Sequence, residues 1–105
     1  MSNWIGEDEV KVLAFIEFRP EDFEMVAEKF KLVQAERKKG SEKFPKLIFP
    51  PHVFSGEFKI VVIFEDPTDE QLNNLMIHYL PVLTFNFVPL TDYANFVEQY
   101  FKVKK

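Results

Sequence analysis

Residues 10–18 read VKVLAFIEF, and residues 57–65 read EFKIVVIFE. Apolar side chains recur at every second position of both segments, which is the pattern of a β-strand. One face of each strand is uniformly apolar and suits the core of a domain. The opposite faces read charge, apolar, apolar, charge; they comprise Lys11, Leu13, Phe15 and Glu17, and Lys59, Val61, Ile63 and Glu65. These strands decide the fold, because both of their faces carry apolar side chains.

Three helices are predicted around these strands. Pro20 suits a first helical turn, and Gly40 follows a basic run that is typical of a helix end. Thr68 opens the capping-box pattern TDEQ at the start of a second helix. Thr91 is predicted to cap a third helix over residues 91–105. The apolar positions at helical spacing are Phe23, Val26, Ala27, Phe30 and Val33, then Leu72, Leu75, Met76 and Tyr79, then Tyr93, Phe96, Val97 and Tyr100.

The remaining two strands are predicted at the edges of the sheet. Residues 46–54 are apolar but contain Pro50 and Pro51, and residues 82–90 contain Pro89. Proline cannot donate a hydrogen bond within a sheet, so it favours edge strands and bulges. In the order β-α-β-β-α-β, right-handed crossovers place the first and third strands in the centre. We therefore predict an α+β, ferredoxin-like domain with a four-stranded antiparallel sheet and an extra C-terminal helix.

The composition limits the classes of protein and partner. The 105 residues suffice for a single domain, with residues 1–9 as an N-terminal extension in which the role of Trp4 stays open. The chain has no cysteine, which excludes disulfides and thiolate metal sites and favours a reducing, cytoplasmic environment. We expect no signal peptide and no membrane-spanning segment. The net charge of -4 argues against nucleic acid and anionic membranes as partners.

The second face of the central strands predicts self-association. In a ferredoxin-like domain both main helices cover one sheet face, and the other face of a monomer should be polar. Here its centre consists of Leu13, Phe15, Val61 and Ile63, with charges at both ends. An apolar centre within a charged rim is typical of an interface. We therefore predict a sheet-to-sheet homodimer; the alternative is that the last helix folds back over this face.

The chain also resembles a known family. The order of elements, the length and the apolar open face over residues 10–90 resemble the dimeric α/β-barrel superfamily. Within it, residues 58–65, the helix from Thr68 and the run FNFVPL at 85–90 are similar to small stand-alone domains of unknown function. The resemblance implies two ferredoxin-like domains packed sheet against sheet. It implies a dimer far more strongly than any particular reaction, since the superfamily includes cofactor-free monooxygenases, haem enzymes, isomerases and ligand-sensing modules.

Three polar residues are candidates for chemistry, and we favour a structural alternative for each. His52 follows two prolines that could hold its imidazole as an acid, base or ligand, or it is a solvated edge residue. His78, on the second helix, could border a cleft or is a boundary residue. The resemblance implies one further test, because haem members of the superfamily bind the haem iron through a histidine on a helix. His78 is the position at which that role would be tested. Asn86, beside Thr84, could orient a substrate or satisfies a polar network at the dimer seam.

Other polar groups are predicted to be structural. Glu17 and Glu65 could form a carboxylate pair on adjacent strands, but Lys11 and Lys59 on the same face favour ion pairs. The three tyrosines are expected in the core, with polar tips. No metal and no cofactor is predicted, because the two histidines lack ligand spacing and no glycine-rich phosphate loop is present.

Three functions stay open at the level of sequence. The first is a homodimeric module that binds a small apolar ligand or a protein partner without catalysis. The alternative is a cofactor-free monooxygenase or isomerase acting on a small aromatic or lactone-like compound, which needs only a shaped apolar pocket with one or two polar groups. The third is an interaction subunit without a ligand. A cavity lined by His78 or Asn86 favours the enzyme, and a filled core favours the interaction subunit.

Overall fold

The computed structural model describes residues 10–104, so the predicted extension over residues 1–9 and Trp4 lie outside the described residues. A short 3-10 turn, Pro20–Asp22, precedes the first helix. The elements in chain order are β1 (Lys11–Glu17), α1 (Phe23–Lys38), β2 (Lys46–Val53), β3 (Lys59–Glu65), α2 (Asp69–Tyr79), β4 (Thr84–Leu90) and α3 (Tyr93–Lys104). The predicted α+β class and the order of elements are confirmed.

The four strands form one antiparallel sheet in the order β2-β3-β1-β4. The two alternating strands therefore lie in the centre, as their patterns predict, and the strands that contain proline lie at the edges. The register of β2 against β3 shifts between Leu47 and Phe49 and again between Phe49 and His52. Pro50 and Pro51 fall in the second of these irregularities, since neither can donate to the neighbouring strand.

The core lies between one face of the sheet and the helices α1 and α2. The central strands bury the alternating set that the sequence predicts, and each large apolar side chain buried there is worth roughly 1.5–3 kcal/mol. The buried core residues from the sheet and helices are Val12, Ala14, Ile16, Val62, Phe64, Val26, Val33, Leu75 and Tyr79, and those from loops are Phe44, Val82 and Leu83. The sheet thus has one covered face and one open face.

The start of α2 and the end of α1 agree with the capping residues predicted from the sequence. The backbone N–H of Gln71 donates to Thr68 Oγ1, and the backbone N–H of Thr68 donates to Gln71 Oε1, each over 3.0 Å. This reciprocal pair is the predicted capping box and satisfies two amides at the start of α2. Gly40 follows α1 with a φ of 80°, a conformation that glycine adopts without strain.

Some predictions for the helices are wrong. Asp92 rather than Thr91 caps α3, because its Oδ2 accepts from the N–H of Asn95 at 3.2 Å. Met76 is 39% exposed and does not belong to the buried stripe of α2. Tyr93 and Tyr100, predicted in the core, are exposed, and α3 has no buried residue. The apolar spacing of α3 is helical, but no surface formed by residues 10–104 buries it.

Candidate functional site

The open face of the sheet brings together the four residues predicted for the dimer interface. In the register of β1 and β3, Leu13 lies opposite Ile63 and Phe15 lies opposite Val61. Phe15 is 40% exposed, and the other three are half-buried. Helix α3 does not cover this face, so the alternative in which the last helix folds back is wrong. The four side chains form a contiguous apolar patch that is accessible to solvent.

The edge strands extend this face and place two of the three candidate polar residues on it. On β2, His52 lies opposite Val61. Its ring stacks on Phe49 with centroids 4.3 Å apart, and its Nδ1 lies 2.7 Å from the carbonyl oxygen of Pro50. On β4, Asn86 is exposed opposite Phe15. His52 and Asn86 therefore flank the patch from opposite edges, with two central strands between them.

The charged rim has ion pairs at one end, around Lys59, and does not form a carboxylate pair. Glu17 lies opposite Lys59, with 4.0 Å between Glu17 Oε2 and Lys59 Nζ, and Lys59 also lies 3.4 Å from Glu57. Glu65 lies opposite Lys11 at the other end of the antiparallel strands. Six residue steps therefore separate Glu17 from Glu65, about 20 Å along the sheet. The two carboxylates do not share a site.

His78 lies away from the open face, between α1 and α2. Its Nε2 is 2.9 Å from the carbonyl oxygen of Lys29, and the rings of Phe44 and Tyr79 pack edge-on against it at 5.5 and 5.1 Å. The half-buried imidazole thus joins two helices, which is the structural alternative that the sequence favours. The structure does not bring His52, His78 and Asn86 together.

A cavity of about 360 Å³ lies between α1 and the covered face of the sheet. Its lining is apolar except for Arg37 and Tyr79, and none of His52, His78 and Asn86 contributes to it. The side chains that line it are Ile16, Phe18, Phe23, Val26, Ala27, Phe30, Val33, Arg37, Leu47, Pro51, Val53, Ile60, Val62, Phe64, Leu75, Tyr79, Leu83 and Phe85. The core of this small domain is therefore not filled.

Arg37 and Tyr79 are the polar groups of the cavity. Arg37 lies in the last turn of α1 and is half-buried, and its Nε donates to the carbonyl oxygen of Pro45 over 3.1 Å. Tyr79 ends α2 and is 6% exposed. Burial raises the pKa of Tyr79 to about 12, and the positive charge of Arg37 opposes this rise. Burial also lowers the pKa of Arg37, which stays charged at neutral pH.

Sequence reasoning missed the role of both residues in this cavity. Arg37 belongs to a basic run that marks the end of α1, and Tyr79 belongs to the apolar stripe of α2. One feature of the sequence does indicate the position of Arg37. Arg37 follows Val33 by four residues, so it continues the buried face of α1 instead of its solvated side.

Comparisons with known proteins add no relative. No protein-family model matches the sequence, and no curated protein or solved structure is detectably similar to it. Within residues 10–104, no helix combines the length and apolarity that crossing a membrane requires. The described part of the chain also has no group of three or more histidine, cysteine, aspartate or glutamate residues that could hold a metal ion.

Proposed function

We propose that this chain is a ferredoxin-like, homodimeric domain that binds a small apolar ligand in the cavity beneath α1, without catalysis. The cavity is the observation that carries the proposal. Its volume of about 360 Å³ falls within the range of small-molecule sites, about 300–1,000 Å³. Interiors are normally packed with few voids larger than a water molecule. An apolar cavity of this size in so small a domain therefore suits an apolar ligand.

Binding is favoured over the enzymatic alternative by the polar groups that line the cavity. The candidate acids and bases His52 and His78 lie elsewhere, and so does Asn86. Tyr79, with a pKa of about 12, holds its proton at neutral pH and is poorly matched to acid–base catalysis there. The cavity thus offers shape and hydrogen-bond donors, which suffice for binding.

The open sheet face supports the homodimer. Phe15 lies in its apolar centre. At each end of the paired strands β1 and β3, a lysine lies opposite a glutamate. A second copy of the same face therefore offers apolar side chains to the centre and opposite charges to the rim. The strand order β2-β3-β1-β4 and this uncovered face also support the resemblance to the dimeric α/β-barrel superfamily.

The ligand proposal is tested with the neutral apolar fluorophore N-phenyl-1-naphthylamine. Ala27 lines the cavity, whereas Ala35, on the same helix, is exposed and does not. We expect the fluorophore to brighten with the wild type and with Ala35→Phe, and not with Ala27→Phe, because the added ring fills the cavity. Circular dichroism checks that both variants fold.

Two results contradict the proposal. Equal fluorescence with Ala27→Phe and Ala35→Phe shows that the probe binds elsewhere, for example on the open face. No fluorescence change with the wild type, at probe concentrations up to its solubility, shows that the cavity takes no such ligand.

A further inference from the structure

We infer that the ligand of this cavity carries a carboxylate, held by Arg37 and Tyr79, on an elongated apolar body that lies along α1. The inference rests on the proposed ligand binding and adds to it the chemical class of the ligand. Three features of the cavity support it: an incompletely paired cation, an accessible hydroxyl without a partner within residues 10–104, and the course of the lining along one helix face.

The cation is the guanidinium of Arg37. Only its Nε has a hydrogen-bond acceptor within residues 10–104, the carbonyl oxygen of Pro45, and Arg37 forms no ion pair there. A guanidinium has five N–H donors in a planar fork, so its terminal amino groups remain available. Burying a charge without a counter-ion is costly. A carboxylate matches the fork with two parallel hydrogen bonds.

The hydroxyl is that of Tyr79, a residue that is 6% exposed overall. Within residues 10–104 this hydroxyl forms no hydrogen bond, and no side-chain oxygen or nitrogen there is both fully buried and unpaired, so the hydroxyl keeps an accessible surface. Because Tyr79 lines the cavity, this accessible hydroxyl can pair with a ligand atom. The neutral phenol can donate a hydrogen bond as well as accept one, and the guanidinium can only donate. Together they favour a ligand group that accepts hydrogen bonds.

A single cation limits the charge of that group. Among residues 10–104, Arg37 is the only charged residue that lines the cavity. A monoanionic carboxylate is balanced by one guanidinium, whereas a phosphate carries about −1.5 to −2 charges and would keep an excess buried in an apolar wall. The cavity chemistry therefore favours a carboxylate.

The shape of the ligand follows from α1. The lining residues of this helix run along one face from Phe23 to Arg37, which corresponds to about 21 Å of helix. At the far end from Arg37, Phe23 and Val53 are both more than half exposed and mark the mouth of the cavity. A carboxylate at Arg37 thus points its apolar tail along α1 towards Phe23. A medium-chain or arylalkyl carboxylate fits this arrangement.

The test compares octanoate with octan-1-ol by isothermal titration calorimetry. The two probes share an eight-carbon tail and differ in the charged head. We expect the wild type to prefer octanoate by roughly tenfold or more, as hydrogen bonds to a charged group imply. Arg37→Met should abolish the preference and leave octan-1-ol binding unchanged. Tyr79→Phe, which removes one oxygen, should reduce the preference. Lys38→Met, a neighbouring exposed cation, should retain it.

The outcomes separate this inference from the proposed function. Equal binding of the two probes by the wild type, or a preference that survives in Arg37→Met, overturns the carboxylate and leaves apolar ligand binding intact. Displacement of octanoate by millimolar inorganic phosphate also overturns the assigned class. Binding of neither probe overturns both proposals. If Arg37→Met fails to fold, Tyr79→Phe provides the test. An unchanged preference for octanoate in Tyr79→Phe shows that the hydroxyl does not contact the carboxylate and overturns the inference.

Discussion

Lys29 and His78 exchange hydrogen bonds between α1 and α2. Lys29 Nζ donates to the carbonyl oxygen of His78 over 3.0 Å, and His78 Nε2 lies 2.9 Å from the carbonyl oxygen of Lys29. The pair links two helices that are 49 residues apart at this point in the chain. It also fixes the imidazole beside Tyr79, whose hydroxyl belongs to the cavity. His78, which the sequence offers as a candidate for chemistry, thus connects the two helices that cover the sheet.

Replacing His78 should therefore lower stability without affecting ligand binding. His78→Phe keeps an aromatic ring but removes the N–H that donates to the carbonyl oxygen of Lys29, and we expect it to lower the free energy of unfolding by about 0.5–1.5 kcal/mol. His78→Gln places a nitrogen near the same position and is the matched control. Urea unfolding measures the stability, and calorimetry with octanoate measures binding. Loss of binding by folded His78→Phe would indicate a direct role in the site.

Ile63→Glu should separate the proposed dimer. Ile63 lies at the centre of the open face, where a buried carboxylate without a partner is costly. Ile77→Glu is the matched control, because Ile77 is exposed on α2 and away from that face. Light scattering at micromolar concentration should give a dimer for the wild type and for Ile77→Glu, and monomers or aggregates for Ile63→Glu. A monomeric wild type at that concentration contradicts the homodimer.

The stability of the protein should fall in alkali through Tyr79. Its pKa is about 12 in the folded protein, above the value of about 10 for an unfolded tyrosine. The unfolded chain therefore loses this proton first. The contribution is fully present below about pH 10 and is lost between about pH 10 and 12. A difference of two pKa units corresponds to roughly 2.7 kcal/mol.

Tyr79→Phe isolates this effect, because phenylalanine does not ionise. We expect the free energy of unfolding of the wild type, relative to that of Tyr79→Phe, to decline as the pH rises from about 10 to 12. Urea unfolding of both proteins across this range measures the difference. Parallel curves would show that burial does not raise the pKa of Tyr79.

The two threonines that precede helices should differ in their contribution to stability. Thr68 forms the capping box of α2, and its replacement by alanine should cost about 1 kcal/mol. Thr91 precedes α3, but Asp92 supplies the capping oxygen. Thr91→Ala should therefore change the free energy of unfolding by less than about 0.5 kcal/mol. Equal losses in thermal or urea unfolding would contradict the assignment of the caps.

Much of the fold is predictable from the sequence because local and tertiary preferences agree. The alternation in β1 and β3 identifies the central strands, and Pro50 and Pro51 identify β2 as an edge strand. The capping box at Thr68 marks the start of α2. The exposure of α3 is less predictable, since its apolar spacing indicates a buried face but does not specify which surface covers it.

The candidate site is less predictable than the fold. The residues around the cavity come from most of the elements, and all except Arg37 have the pattern of ordinary core residues in their own segments. Whether they meet or leave a space depends on the separation of α1 from the sheet, which no local pattern encodes. Arg37 illustrates the difficulty, because a basic residue in a last helical turn is also typical of a simple helix end.

The antiparallel register of β1 and β3 gives the open face an approximate internal two-fold symmetry. Rotation by 180° about an axis normal to the sheet exchanges Lys11 with Lys59, and Glu17 with Glu65. The central strands therefore look nearly the same to a partner in two opposite orientations. The central strands differ only in the shape of their apolar side chains, whereas the edge strands break this equivalence in polarity, since Phe49 on β2 corresponds to Asn86 on β4. In the proposed homodimer, the central strands supply the apolar contact, and these edge residues determine in which of the two orientations the partner binds.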